Sequence, residues 1–159
     1  MTTSFEDFAA DQVTPLLRYA TVLTGDPHLA QDVVQECLLR AQQRWGRIGG
    51  LDAPGAYLKR MVTNEYLSWR RRFRPSRPIE GLDLPADDPT GRYDERDAML
   101  RRIARLPRKQ KAAVVLRYYE DYDYASIATT LGCSQGTVRT HISRALATLR
   151  ADRRVKEAL

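Results

Sequence analysis

Asp123-Tyr124-Ala125-Ser126-Ile127-Ala128-Thr129-Thr130-Leu131-Gly132-Cys133-Ser134-Gln135-Gly136-Thr137-Val138-Arg139-Thr140-His141-Ile142-Ser143-Arg144-Ala145-Leu146 is the stretch that decides the fold. Asp123 is a helix-capping residue ahead of an apolar set at Ala125, Ile127, Ala128 and Leu131. Gly132 suits the left-handed position that ends a helix. Ser134 can then cap a second helix, whose inward set is Val138, Ile142, Ala145, Leu146 and Leu149. Two helices joined by Leu131-Gly132-Cys133-Ser134, with the small Ala128 where they cross, form a helix-turn-helix pattern. The face left outside carries Gln135, Arg139, Thr140, Ser143 and Arg144. Arginine can read guanine in the major groove, and Gln, Thr and Ser offer shorter contacts. An ordinary helical hairpin with a basic outer face shows the same face, but the agreement of cap, turn, small residue and basic surface favours a reader of DNA. Cys133 reads as a small turn residue, and His141 as a surface or phosphate-contacting residue rather than a metal ligand.

Outward from this motif the apolar spacing is helical nearly throughout, with no convincing strand and no internal repeat. Towards the N-terminus, Met99, Leu100, Ile103 and Leu106 share a helix stopped by Pro107, and Val114, Val115, Leu116 and Tyr118 belong to the next. Residues 75–91 hold Pro75, Pro78, Gly81, Pro85, Pro89 and Gly91 with four acids, which reads as an acidic, Pro-rich linker, with the linker set at 75–94. Before it lie three helices. Ser4 caps the first, with Asp7 three residues on; Pro15 inside its stripe predicts a kink or a split, and Gly25 stops it. Asp26-Pro27 opens the second, with Leu29, Val33, Val34, Cys37, Leu38, Ala41 and Trp45 on one face. Gly46, Gly49 and Gly50 predict a loop through Asp52, and Pro54 starts the third helix, with Leu58, Met61 and Val62 inward. The expectation is an all-α protein of two small helical domains, residues 1–74 and 95–159, joined by the linker 75–94. Each domain is small enough that its core is marginal.

The 159 residues carry a formal net charge of +6, with Arg supplying 22 of the 26 cations. The charge is blocked: residues 1–44 are net −3, 45–78 net +6, 79–98 net −5 and 99–159 net +8. Two basic blocks separated by an acidic one point towards nucleic acid more than the total does. No apolar run approaches the ~18 residues of a membrane span. Met1 to Phe8 shows neither a basic n-region nor an apolar h-region, so the expected location is the cytoplasm. Cys37 and Cys133 stand far apart with no Cys/His cluster, which argues against a disulfide framework and a zinc site. With His28 and His141 as the two histidines, no paired-carboxylate metal motif and no nucleophile constellation, an enzyme is not expected, nor a cofactor.

Two further constellations lie in the first domain. The third helix combines Tyr57, Arg60, Asn64, Tyr66, Trp69 and Arg70 with Arg71 and Arg72. Aromatics interleaved with arginines can stack an unpaired base and hold its phosphate, although core aromatics at helical spacing give the same pattern. The second helix keeps Asp32, Gln35, Glu36 and Arg40 off its apolar face, as a solvated face or a protein-partner site would.

Asp32-Val33-Val34-Gln35-Glu36 is similar to the DxVQE signature of bacterial sigma-70 region 2, and Tyr57-Leu58-Lys59-Arg60-Met61-Val62-Thr63-Asn64 resembles the promoter-melting helix of that region. Leu106-Pro107, Leu116-Arg117-Tyr118-Tyr119 and Leu131 through Arg139 resemble region 4. Two regions joined by a short acidic linker is the layout of an extracytoplasmic-function (ECF) sigma factor, and Leu23-Thr24-Gly25-Asp26-Pro27-His28 with the Arg-rich composition looks actinobacterial. The resemblance spans roughly residues 5–74 and 95–150. It implies a promoter-specificity subunit of core RNA polymerase without covalent chemistry of its own. By it, Asp32, Gln35, Glu36 and Arg40 meet the β′ clamp helices; Tyr57, Arg60, Asn64, Trp69, Arg70 and Arg71 melt the minus-ten element; and a loop from Ile48 to Gly55 captures a flipped base. It also implies that region 4 meets the β flap while Gln135, Arg139, Thr140, Ser143 and Arg144 read the minus-thirty-five element, and that an anti-sigma factor is a further partner. Two departures stand out: Ala125-Ser126 replaces an acidic pair common among relatives, and the Gly-rich capture loop differs from commoner versions. A stand-alone helix-turn-helix repressor is the rival from another class, but it leaves residues 1–74 without a role.

Overall fold

The structure is a computed structural model that describes residues 3–72 and 91–158. The chain forms two compact units, Met1–Arg74 and Pro75–Leu159, and every regular element among the described residues is helical. No described helix is long and apolar enough to cross a membrane.

In the first unit, helix α1 (Phe5–Thr24) starts where Ser4 Oγ accepts from the Asp7 amide, and ends at Gly25, whose φ of 71° is the left-handed conformation glycine adopts without strain. Pro15 neither splits nor ends it: α1 runs as one helix through this residue. Pro15 and Asp11 are both exposed, so the carbonyl deprived of its donor lies on the wet side of the helix. Helix α2 (Pro27–Gln43) begins as expected, with Asp26 accepting from the amides of His28 and Leu29. Ala30, Val33, Val34, Cys37 and Ala41 form its buried face. Trp45 does not extend that face. It opens a single turn, α3 (Trp45–Ile48), that runs into the predicted loop, and its ring packs on Phe5 and Phe8 at centroid distances of 5.6 and 4.8 Å. Its indole N–H donates to the Thr3 carbonyl, and a Cβ on Gly49 would stand 2.8 Å from the indole, so this position needs glycine.

Helix α4 (Pro54–Arg72) closes the first core with Leu58, Val62 and Tyr66. Thr63 Oγ1 donates to the Lys59 carbonyl, which leaves the buried Tyr19 hydroxyl as donor in the 2.6 Å bond between Tyr19 and Thr63. This bond ties α1 to α4 through a pair with no exposed surface, where loss of one member costs ~1–3 kcal/mol.

In the second unit, α5 (Gly91–Ala104) begins inside the stretch assigned to the linker, two residues after its last proline, Pro89. The remainder of the predicted linker, 73–90, lies outside the described residues. Met99 is 41% exposed rather than inward; Leu106, Val114 and Ala145 form a core cluster against which Ile103 and Leu149 pack. Helix α6 (Arg108–Val114) runs into a π-helical turn, Val115–Tyr119, closed by the Glu120 amide on the Val115 carbonyl at 3.1 Å. The wider turn keeps Val115 and Leu116 buried but carries Tyr118 out to 58% exposure, contrary to its expected place in the apolar set. Helices α7 (Tyr124–Leu131) and α8 (Gln135–Ala158) complete the unit.

Candidate nucleic-acid interface

The helix-turn-helix is built by its caps. Asp123 accepts from the Ser126 amide at 2.7 Å, and its carboxyl sits below the usual range because that serine stabilises the anion through side-chain and then backbone hydrogen bonds. Gly132, at φ 67°, turns the chain, with the Cys133 amide reaching the Ala128 carbonyl. Ser134 Oγ accepts from the Thr137 amide and bonds the Thr137 hydroxyl. Val138, Ile142 and Ala145 are buried beneath, and at ~100° per residue this leaves Gln135, Arg139, Thr140, Ser143 and Arg144 outside. All five are exposed. Thr140 Oγ1 donates to the Gly136 carbonyl, so outwardly it offers a lone pair and a methyl group, the complement of a thymine methyl. His141 is half-buried at the rim of this face. Burial, then the cations of Lys109 and Arg144, hold its imidazole below the ordinary value.

On α4, Arg60 and Asn64 are exposed and Tyr57 half-buried, and their spacing puts them on one stripe. Tyr66 is core, 2% exposed, and is withdrawn from any base-stacking role. The side chains of Trp69, Arg70 and Arg71 lie outside the described residues. The expected capture loop is shorter than 48–55: Ile48 is buried and Pro54 and Gly55 already belong to α4, which leaves Gly50, Leu51, Asp52 and Ala53 exposed.

On α2, Asp32, Gln35 and Glu36 are exposed. Arg40 is more tightly engaged than its sequence position suggested. Its Nε meets Glu36 at 3.0 Å, and its Nη1 meets Glu65 of α4 at 2.8 Å. Burial disfavours the Arg40 charge, but Glu65 and then Glu36 outweigh it and raise its pKa. Burial, reinforced by Glu65, pushes the neighbouring Cys37 thiol up to about 12, so this cysteine is an unreactive core residue. Beside Gln35 a groove of about 410 Å³ opens between α1 and α2, lined by Leu17, Val34, Leu38, Leu39 and Gln42 among others; Leu39 is 49% exposed.

Sequence reasoning missed Glu65, whose signal was an acid set between the apolar Val62 and Tyr66. It also missed Leu39, an apolar residue on an otherwise polar face, and the pairing of Arg117 with Tyr124, which nothing local announces.

A helix-turn-helix whose second helix turns Gln135, Arg139, Thr140, Ser143 and Arg144 outward defines a DNA-binding protein. The family models Sigma-70 region 2 and Sigma-70, region 4 match residues 11–75 and 96–149. RNA polymerase sigma-E factor of Streptomyces avermitilis is 37% identical over 150 residues, covering 93% of this chain and 84% of that protein. ECF RNA polymerase sigma factor SigL of Mycobacterium tuberculosis is 36% identical over 142 residues, covering 85% and 80%. The sigma factor RpoE of Bartonella quintana, in its co-crystal structure with the anti-sigma factor NepR, shares the fold with a TM-score of 0.66 at 22% identity, over 92% of this chain and 94% of that one. The chain belongs to the sigma-70 family, in its extracytoplasmic-function group, and acts in promoter-specific initiation of transcription.

Proposed function

We propose that this chain docks on core RNA polymerase and divides promoter recognition between its two units, residues 1–74 and 95–159. Asp32, Gln35, Glu36 and Arg40, with the adjoining apolar groove and Leu39, form the polymerase-binding face of the first unit. Tyr57, Arg60 and Asn64, continued by Trp69, Arg70 and Arg71, hold the minus-ten strand as it melts. Gln135, Arg139, Thr140, Ser143 and Arg144 read the minus-thirty-five element. The observation that carries the reading is the partition at the start of α8: every proposed reader is exposed, while Val138, Ile142 and Ala145 are buried opposite. Phosphate contacts supply affinity that falls steeply with salt, and base contacts supply the discrimination. A captured, extruded base offsets the few kcal/mol that unstacking costs. The chain supplies no chemistry of its own, and an anti-sigma factor is the partner that would compete for the same exposed faces.

The test is competition with a housekeeping sigma factor for core polymerase, followed by promoter discrimination. Arg139→Ala with Arg144→Ala should remove ~1–3 kcal/mol of discrimination per lost base contact at the upstream element and leave the competition unchanged. Lost competition in that variant would show that the DNA face is misplaced. A wild-type protein that never competes, yet binds an operator alone, would make the chain a repressor.

A further inference from the structure

Arg139 is exposed, and an unrestrained arginine of this kind samples many rotamers before meeting a base. In this structure it is not unrestrained. Its guanidinium carbon lies 5.3 Å from the centroid of the Tyr124 ring, the first residue of α7. A second guanidinium, that of Arg117, lies over the same ring at 4.7 Å. Two cations repel one another, and the negative face of an aromatic ring is a group that can hold both. Arg117 is the anchored member, because its Nη1 donates to the Tyr122 carbonyl at 3.0 Å. It projects from the π-helical turn, whose extra residue sets its direction. The acid beside the ring, Asp123, is committed to the α7 cap. An ordered chain of contacts therefore runs from the π turn through Arg117 and Tyr124 to an exposed residue of the recognition helix.

We propose that Tyr124 is a specificity-determining positioning residue: its ring, itself fixed by Arg117, holds Arg139 where the guanidinium meets its base edge. The inference rests on α8 being the DNA reader. Tyr124 reads no base in this scheme; it narrows the orientations of the residue that does. The ring face matters and the hydroxyl does not, which separates the role from a phosphate contact made by the tyrosine itself.

The experiment is selection and sequencing of duplexes randomised across the upstream promoter element, bound by core polymerase carrying wild-type protein, Arg139→Ala, Tyr124→Phe, Tyr124→Leu or Tyr124→Ala. Arg139→Ala defines the positions that Arg139 reads. Tyr124→Leu and Tyr124→Ala should weaken preference at those same positions by about two- to fivefold, the size of an exposed cation–π contact, and leave other positions unchanged. Tyr124→Phe should retain wild-type preference. Tyr124→Leu keeps apolar bulk at the helix start, so a folding defect confined to Tyr124→Ala leaves the prediction fully testable. Equal losses in Tyr124→Phe and Tyr124→Leu would identify a direct hydroxyl contact and overturn the proposal, as would unaltered preference in Tyr124→Leu or a uniform loss at every position. If Arg139→Ala changes no position, the reading of α8 itself has failed, and this outcome is distinct from the others.

Discussion

Replacing Arg40 with alanine removes a side chain that bridges two helices, and the size of the effect follows from the unequal exposure of its partners. Glu36 lies one turn away on α2 and its side chain is 47% exposed; such a pair contributes ~0.3–0.5 kcal/mol. Glu65 belongs to α4 and its side chain is 9% exposed, so losing Arg40 strands a nearly buried carboxylate. A charge-assisted bond of this kind is worth ~1.5–3 kcal/mol, and the penalty falls on the group left behind. Arg40 itself is 38% exposed, so water recovers part of the loss. The expected destabilisation is about 2 kcal/mol, a fall of roughly 8–16 °C in the midpoint of a unit this small. Thermal and urea unfolding of the full chain should be measured for Arg40→Ala, Glu65→Ala and the double variant. The double variant should recover about 1 kcal/mol relative to the sum of the singles, because no charge is then stranded. Additivity within ~0.3 kcal/mol would refute the strut. Weakened polymerase binding in Arg40→Ala at unchanged stability would make Arg40 a contact residue only.

Asn64→Ala changes an exposed residue and should alter stability by less than ~0.5 kcal/mol, while slowing open-complex formation more than closed-complex binding; stopped-flow fluorescence of a labelled minus-ten element reads the difference, and an unchanged melting rate removes Asn64 from the site. His141 has a depressed folded-state pKa, so the unfolded chain takes up its proton first as pH falls below ~6.5. Stability is therefore lost as pH drops from that value through the folded one, and urea titrations at pH 7.5 and 5.5 should show a loss in the wild type that His141→Gln reduces. Equal losses in both would clear His141 of the effect.

How much could be read in advance depended on how local the signal was. Ser4, Gly25, Asp26-Pro27, Asp123, Gly132 and Ser134 act within a few residues of themselves, and their hydrogen bonds are where the sequence placed them. The exposed face of α8 was legible for the same reason, since helical periodicity alone sorts Val138 and Ile142 from Arg139 and Ser143. Features set by tertiary contact were not legible. The turn at Trp45 is too short and Gly-rich to carry a helical period, and it forms where Phe5 and Phe8 receive the indole. Pro15 carried a real local signal for a break, but the packing of Leu16, Tyr19, Ala20 and Leu23 kept the helix in one piece. The π turn inserts one residue into an apolar run whose period gives no warning, and so Tyr118 was assigned to the wrong side. Arg40 and Glu65 are 25 residues apart, and no spacing rule joins them.

The partition of α8 has an evolutionary side. Because Val138, Ile142 and Ala145 carry the packing, Gln135, Thr140, Ser143 and Arg144 are free of structural duty, and substitutions there are nearly neutral for folding. A duplicated copy of this gene could therefore drift to a new upstream sequence through a few surface changes, without compensating repairs in the core. Arg139 is the exception. Its partner sits on another helix, so a change of letter at that position would tend to drag residue 124 along with it, leaving a correlated pair in the record of divergence.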